Sequence, residues 1–194
     1  MNIFVTDTGA DQSARALCDL HLVKMVVETG QILSTALLYH APDTEGLYKP
    51  THKNHPCVVW ARTCRRSFFW LLDHGLSLAE EYQRRFGREH KTHALLKRMK
   101  SMWRAVPLTG QEMPPFVYCG PAEYVNSDAP TAYRTYLSAK YQAWGAKKAR
   151  WTKSEAPSWA RGVGSSFQLY AHETGVNNVN YRHEDHEGRE APEC

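Results

Sequence analysis

Five polar side chains recur at helical spacing within an otherwise apolar segment near the start of the chain. They are His21, Lys24, Glu28, Gln31 and Thr35. At about 100° of rotation per residue, this spacing places all five along one line of an α-helix. A carboxylate, an ammonium and an imidazole on that line could carry out proton transfer or amine attack in a partly dry crevice. Alternatively, the line is the solvated edge of the helix, and Lys24 and Glu28 form an ordinary surface ion pair.

A second group of chemically active side chains lies in a loop that precedes Pro56. This group consists of Lys49, His52, Lys53, Asn54 and His55. Proline is common in the first turn of a helix, and the free N–H groups at a helix start favour anions. We therefore predict that these residues bind backbone phosphate, with either histidine able to assist acid–base chemistry near neutral pH.

Two other interpretations of the loop histidines remain open. Together with His21 and Glu28, His52 and His55 could hold a metal ion, although an H-x-x-H spacing in a loop is a weak metal motif. Alternatively, the histidines cap the following helix and form hydrogen bonds with backbone groups. On this basis we assign no metal ligands and no cofactor.

The stretch 84–104 is strongly basic. It contains eight lysines and arginines and a single acid. Basic side chains gain affinity for nucleic-acid phosphates by releasing counterions. We predict that Arg84, Arg85 and Arg88 bind phosphate.

The stretch 140–161 interleaves six lysines and arginines with aromatic residues. Aromatic faces can stack on exposed bases, but they are also common in protein cores. We expect Trp144 to be an ordinary core residue. Trp159 lies in a segment bounded by proline and glycine, beside Arg161, and we predict that both side chains contact nucleic acid.

The hydrophobic pattern predicts an all-α fold, a compact single-domain bundle of three to five helices with long irregular loops. The first helix begins near Asp11 or Ser13, either of which could cap it, and the second ends at Gly87. The predicted helices are 11–39, 56–87, 92–105 and 130–150.

Charge is distributed unevenly along the chain, whose net charge is +4. Residues 1–170 contain 22 lysines and arginines against 14 acids, whereas residues 171–194 contain two against six. The first range is predicted to be an all-α domain with a phosphate-seeking surface, and the second a flexible acidic tail.

Composition excludes several classes of protein. No apolar run reaches the ~18 residues that a membrane helix needs, and the first residues lack the basic region of a signal peptide. The five cysteines are an odd number and form no C-x-x-C pair, which favours reduced thiols over a disulfide framework. We expect a cytoplasmic protein, monomeric and not bound to a membrane.

The polar line belongs to a segment that resembles a known motif. The residues from Leu17 to Leu22, followed by Glu28, resemble the L-x-D-x-H-L-x5-E helix of the pyrimidine-dimer DNA glycosylases of the phage endonuclease V type. Asp19, His21, Leu22 and Glu28 match this motif by type and spacing.

Two later segments are similar to the same family. The block 55–87, with its aromatic run 68–70 and its basic end, is similar to the family's second long helix. The segment 157–161 is similar to the family's C-terminal P-T-W-x-K motif. Order and approximate distances agree over about two-thirds of the chain.

The resemblance implies a cofactor-free all-α enzyme that binds double-stranded DNA and flips a nucleotide. An amine attacks C1′ of the damaged nucleoside, a covalent imine forms, the glycosidic bond breaks, and β-elimination can then cut the strand. Glu28 would be the acid–base carboxylate, and His21 would lie at the lesion-contacting position.

The sequence departs from the family at the nucleophile. The family uses the α-amine of a threonine that is exposed when the initiator methionine is removed, whereas the second residue here is Asn2. The arginine that precedes the family's catalytic glutamate is replaced by Val27. The nucleophilic amine could therefore belong to Met1, to Asn2 after trimming, or to Lys24.

Two alternatives to this function remain at the level of the sequence. One is an enzyme that modifies a nucleotide or base, with a metal ion held by the histidines and Glu28. The other is a DNA-binding protein without catalytic activity.

Overall fold

The fold is taken from a computed structural model, in which residues 1–105 and 112–161 are described. The predicted acidic tail 171–194 and the last residues of the predicted domain 1–170 lie outside these ranges. Seven α-helices and two short 3-10 turns form the regular structure of the described residues, which contain no β-strand. None of the helices among these residues is both long enough and apolar enough to cross a membrane. The helices are α1 (Ala10–Arg15), α2 (Asp19–His40), α3 (Pro56–Thr63), α4 (Arg65–Phe86), α5 (His93–Met99), α6 (Ala129–Lys148) and α7 (Ser158–Arg161).

The predicted first helix, 11–39, is two helices, because the backbone between α1 and α2 bonds to a distant part of the chain. Cys18 is extended, with φ −67° and ψ 164°. The amide of Asp19 donates to the carbonyl of Arg150 over 2.8 Å, so it is not available to a continuous helix. Local spacing carries no information about this long-range bond.

The predicted second helix, 56–87, is also divided, at Cys64. This residue is extended, with φ −150° and ψ 165°. Its carbonyl accepts a 2.9 Å hydrogen bond from Ser67 Oγ, and its sulfur accepts one from the Ser67 amide. Cys64 thus ends α3 and caps α4. The all-α class is confirmed. Division of two of the four predicted helices gives six, and the short α7 is a further helix that the pattern did not predict, so the described residues contain more helices than the three to five expected.

The outer ends of the predicted helices lie within two residues of the observed ones, except that the helix predicted over 92–105 ends at Met99. The caps predicted for the first helix are also wrong. Gly87 ends α4 with a φ of 71°, a left-handed conformation that glycine adopts without strain. The first helix begins at Ala10, after Gly9, so neither Asp11 nor Ser13 caps it. Ser13 Oγ is used elsewhere, because it accepts from the amides of residues 6 and 7.

The start of the chain is built into the core. Ile3, Phe4 and Val5 are buried. On one side they face α2, and on the other the ring of Phe4 meets the edge of Tyr133 in α6, with 5.7 Å between centroids. The central helix α4 packs against α1, α2, α3 and α5. This arrangement fixes the first two residues beside the polar line of α2.

Candidate active site

The carboxylate of Glu28 lies beside the start of the chain. Glu28 is 8% exposed, and its Oε2 accepts a 2.8 Å hydrogen bond from the backbone nitrogen of Asn2. The amine of Met1 is 4.0 Å from the same oxygen. On the other side, Lys24 Nζ is 3.2 Å from Oε1. The structure therefore brings together four of the five predicted catalytic residues around one largely buried carboxylate.

The site opens to solvent on the side of Lys24. The side chain of Lys24 is 68% exposed, whereas that of Glu28 is 10% exposed. Leu20 and Val23, on the same edge of α2, are also exposed, at 50% and 41%. The polar line is thus neither a uniformly solvated edge nor a closed crevice. It places a buried acid at the rim of an apolar, accessible surface.

The side chain of Asn2 is held by a network that sequence reasoning missed. Its Oδ1 accepts hydrogen bonds from Tyr133 Oη over 2.6 Å and from the Ile3 amide over 2.7 Å. Its Nδ2 donates to the carbonyl of Cys119 over 3.2 Å. Tyr133 lies 131 residues from Asn2 in sequence, so no local pattern could have indicated this contact. The network fixes the direction of the Asn2 backbone nitrogen toward the carboxylate.

His21, the fifth predicted catalytic residue, is packed inside an aromatic cluster. Its ring lies between Phe4 and Trp144, with centroid distances of 4.8 and 4.9 Å. Its Nδ1 shares a 2.8 Å hydrogen bond with Tyr141 Oη. Burial, assisted by the charge of Lys140, lowers the pKa of His21 to about 3. The imidazole is therefore neutral at physiological pH, which suits a positioning role rather than proton donation.

The histidine loop is tied to α2 two turns beyond Glu28. Thr35 Oγ1 accepts a 3.1 Å hydrogen bond from the amide of Thr51. The following turn is closed by a 2.8 Å bond from the His55 amide to the carbonyl of His52, which has a left-handed φ of 48°. Four predicted phosphate-binding residues of this loop are exposed, namely Lys49, His52, Lys53 and Asn54. The structure thus places the basic loop along the same face of α2 as the acid.

His55 caps α3 and faces the site. Its side chain accepts a 3.2 Å hydrogen bond from the amide of Cys57, which confirms the capping interpretation. Burial and the positive charge of the chain start lower the pKa of His55, while the charge of Glu28 opposes this shift. The ligand atoms of His55, Cys57 and Cys119 lie within 4.8 Å of one another, so these three residues could hold a metal ion. This set differs from the predicted one, in which His55 joined His21, Glu28 and His52.

Comparison with known proteins relates the first part of the chain to a known family. Residues 1–95 match the sequence model of the pyrimidine dimer DNA glycosylase family. This segment, just under half of the chain, is therefore similar to that family. It contains the buried carboxylate, the chain start and the histidine loop, and it supports a DNA repair glycosylase function in general. Comparisons with the curated proteins and with the solved structures returned no match.

Within the matched segment 1–95, the prediction that Arg85 binds phosphate requires a correction. The residue is 1% exposed. Its guanidinium donates to Glu81 over 2.7 Å, to Asp19 over 3.0 Å, and to the carbonyls of Leu17 and Arg15 over 2.9 Å each. Since every one of its nitrogens is bonded inside the protein, Arg85 joins α4 to the start of α2 and does not reach a phosphate.

The neighbouring basic residues of the matched segment lie at the surface. The side chain of Arg84 is 50% exposed. Its guanidinium donates a 2.7 Å hydrogen bond to Glu81 and a 2.6 Å hydrogen bond to the carbonyl of Lys153. Arg88 is exposed, and its guanidinium lies 5.8 Å from the ring centroid of Tyr82. Burial alone would raise the pKa of Glu81, but hydrogen bonds from Arg84 and its neighbour lower it to about 2.

The predicted C-terminal contacts lie outside the glycosylase match. Trp159 is half-buried and stacks on Tyr141, with 6.2 Å between centroids and 20° between planes. It also lines a cavity of about 440 Å³ beside Arg134 of α6. Arg161 is exposed and paired with Glu155 over 2.6 Å. Trp159 is thereby joined to the aromatic cluster around His21.

Proposed function

We propose that the protein is a DNA glycosylase with AP lyase activity, in which the α-amine at the start of the chain is the nucleophile. The observation that carries this proposal is the 2.8 Å contact between the backbone nitrogen of Asn2 and Glu28 Oε2. When Met1 is removed, this same nitrogen becomes a primary amine. It then already lies within proton-transfer distance of a carboxylate.

The proposed reaction begins with attack of the unprotonated amine on C1′ of a flipped nucleotide. The bond between C1′ and the base breaks, and the base leaves with its electron pair and takes up a proton. The C1′–O4′ bond then breaks as O4′ is protonated, and the opened sugar is joined to the protein through an iminium at C1′. Glu28 accepts the proton of the attacking amine. Removal of a C2′ proton then expels the 3′ phosphate by β-elimination, which cuts the strand.

The chain-start amine suits the role of nucleophile better than Lys24 does. The Asn2 nitrogen is directed by its own side-chain network and by the buried residues that follow it. The Lys24 ammonium lies at the end of a side chain that is 68% exposed. Holding an attacking atom in one geometry removes much of the entropic cost of reaction, which a mobile lysine would retain. Lys24 is then a charge partner of Glu28, available to a nearby phosphate.

The surroundings of the amine suit a DNA substrate. The line from His21 to Thr35 spans about 21 Å of helix at 1.5 Å per residue. One end meets the aromatic cluster of α6, and the other meets the exposed basic loop. We propose that the loop holds backbone phosphates while the flipped nucleotide reaches Glu28, and that the aromatic end supports the opened duplex.

Borohydride trapping tests the proposal. The protein is incubated with duplexes that carry either an abasic site or a pyrimidine dimer, and sodium borohydride reduces any imine to a stable secondary amine. We expect a covalent protein–DNA adduct, and mass spectrometry of the digested adduct should place the DNA on the first residue of the chain. Omission of borohydride is the matched control.

The outcomes separate the alternatives. An adduct on Lys24 would retain the glycosylase but reject the chain-start amine. DNA binding without an adduct on either duplex would reject the imine mechanism and favour a binding protein. Cleavage that a chelator abolishes, again without an adduct, would favour a metal-assisted enzyme.

A further inference from the structure

Three side chains of the types that bind soft metal ions meet beside the start of the chain. They are His55, Cys57 and Cys119, whose ligand atoms all lie within 4.8 Å of one another. The two sulfur atoms are 3.6 Å apart. In a tetrahedral zinc site with Zn–S bonds of about 2.3 Å, two sulfurs lie about 3.8 Å apart. We propose that these residues bind one divalent metal ion of the zinc class.

The scaffold holds the ligands from two directions. His55 and Cys57 flank Pro56 in the first turn of α3, so their relative position is set by a helix start. Cys119 comes from a separate segment, in which its amide donates to Tyr133 Oη over 2.9 Å and its carbonyl accepts from Asn2 Nδ2. A metal ion at this point would therefore join α3 to the segment that clamps the second residue. Such support of metal ligands by neighbouring hydrogen bonds is typical of metal sites.

Burial and charge favour an ion with a preference for sulfur. Two thiolates balance the charge of a divalent ion, so the occupied site adds no net charge beside the chain-start amine. Thiolate and imidazole ligands select zinc-class ions over magnesium and calcium, which prefer oxygen. Cys57 is buried, whereas His55 and Cys119 are half-buried, so two of the three ligands remain partly accessible to solvent.

The site requires one local exchange. The imidazole of His55 accepts a 3.2 Å hydrogen bond from the Cys57 amide, and coordination replaces it. A single neutral hydrogen bond is much weaker than a bond from imidazole to zinc, so the exchange favours the metal. Both thiols lose their protons to the buffer when the ion binds.

Cobalt substitution tests the site without any DNA. The full-length protein is freed of metal in a phosphine reductant, which keeps the thiols reduced, and is titrated with Co²⁺ and then with Zn²⁺. We expect thiolate-to-cobalt charge-transfer absorption that saturates at one ion per chain, and its loss when zinc displaces cobalt. Cys57→Ser and Cys119→Ser should each weaken binding by at least about tenfold.

A matched control uses another buried cysteine. Cys64 lies at the junction of α3 and α4, outside the cluster, and serine is a good helix cap, so Cys64→Ser should bind cobalt as the wild type does. If the cluster cysteine variants do not fold, His55→Asn provides the same reading. Absence of charge-transfer absorption in the wild type, or equal loss of it in Cys64→Ser, would overturn the proposal. Because the measurement involves no substrate, its result is independent of the proposed glycosylase.

Discussion

The backbone nitrogen of Asn2 points at Oε2 of Glu28 from 2.8 Å, while the amine of Met1 lies farther away, at 4.0 Å. A difference of one residue in the position of the chain start therefore changes which nitrogen is presented to the carboxylate as an amine. The side chain of Asn2 fixes this register through Tyr133 and Cys119.

Replacement of Glu28 tests its role in chemistry. Glu28→Gln keeps the volume and can still accept a hydrogen bond from the Asn2 nitrogen, but it cannot take up a proton. We expect strand cutting at an abasic site to fall by about 10²- to 10⁴-fold, the usual contribution of a general acid or base. Binding to the same duplex, measured by fluorescence anisotropy, should change little. Equal loss of binding and cutting would show that the carboxylate is structural.

The position of the chain start can be set directly. Cleavage of a fusion protein can release one chain that begins at Met1 and another that begins at Asn2. We expect the Asn2 form to give the faster single-turnover trapping with borohydride, because its amine is the nitrogen 2.8 Å from Glu28. Reductive methylation of the amine in this form should abolish trapping. Equal rates for the two forms would contradict the assignment.

The exposed loop should carry part of the salt dependence of DNA binding. Each phosphate contact contributes about 0.9 to the slope of log K against log salt concentration. Lys49→Gln and Lys53→Gln should together lower this slope by up to about 2. Lys97→Gln is the control, because its ammonium is already paired with Glu89 over 3.0 Å. An unchanged slope in the loop variants would remove the loop from the interface.

Local periodicity was sufficient to place the predicted polar side chains on one face of α2. The spacing of His21, Lys24 and Glu28 places them on one line whatever the rest of the chain does. The capping of α3 by His55 was likewise indicated by its position before Pro56. These features depend on neighbours in sequence, which is why the sequence alone could indicate them.

Features that depend on distant partners could not be predicted. Arg85 was grouped with surface bases because it lies in a basic stretch, yet its partners Leu17 and Asp19 are 68 and 66 residues away. The clamp on Asn2 by Tyr133 is equally remote. Charge composition gives the sign of a segment, but only the packing of α4 against α2 decides which of its arginines reach solvent.

Removal of Arg85 should be costly because it takes a fully buried cation away from two carboxylates. Arg85→Met exposes no new surface, but Glu81 and Asp19 lose a buried cation. Breaking a buried pair in this way costs about 3–5 kcal/mol of unfolding free energy. Arg88→Met, at an exposed position of the same basic stretch, should change stability by no more than about 0.5 kcal/mol. Urea denaturation measures both, and similar losses would contradict the buried role.

Protonation of His74 should make the fold sensitive to acid. The ring is completely buried and stacks on Trp70 at 5.3 Å. Its Nδ1 donates to the carbonyl of Ala10 over 3.0 Å, whereas its Nε2 has no partner among the described residues. A proton on Nε2 would create a buried, unpaired cation, and burial accordingly lowers the pKa of His74 from 6.5 to about 4.

The direction of the pH effect follows from proton uptake. Between pH 6.5 and about 4 the unfolded chain binds a proton at His74 and the folded chain does not, so stability falls as the pH falls through this window. One such group contributes up to about 1.4 kcal/mol per pH unit.

His74→Asn retains a donor for Ala10 and cannot titrate, so its unfolding free energy should depend less steeply on pH within the window. Above pH 7 the two proteins should show the same slope in urea denaturation. If the unfolding free energies of the two proteins change in parallel throughout the acid range, His74 does not cause the acid sensitivity. His21, whose pKa is lowered to about 3, would then be tested by the same substitution.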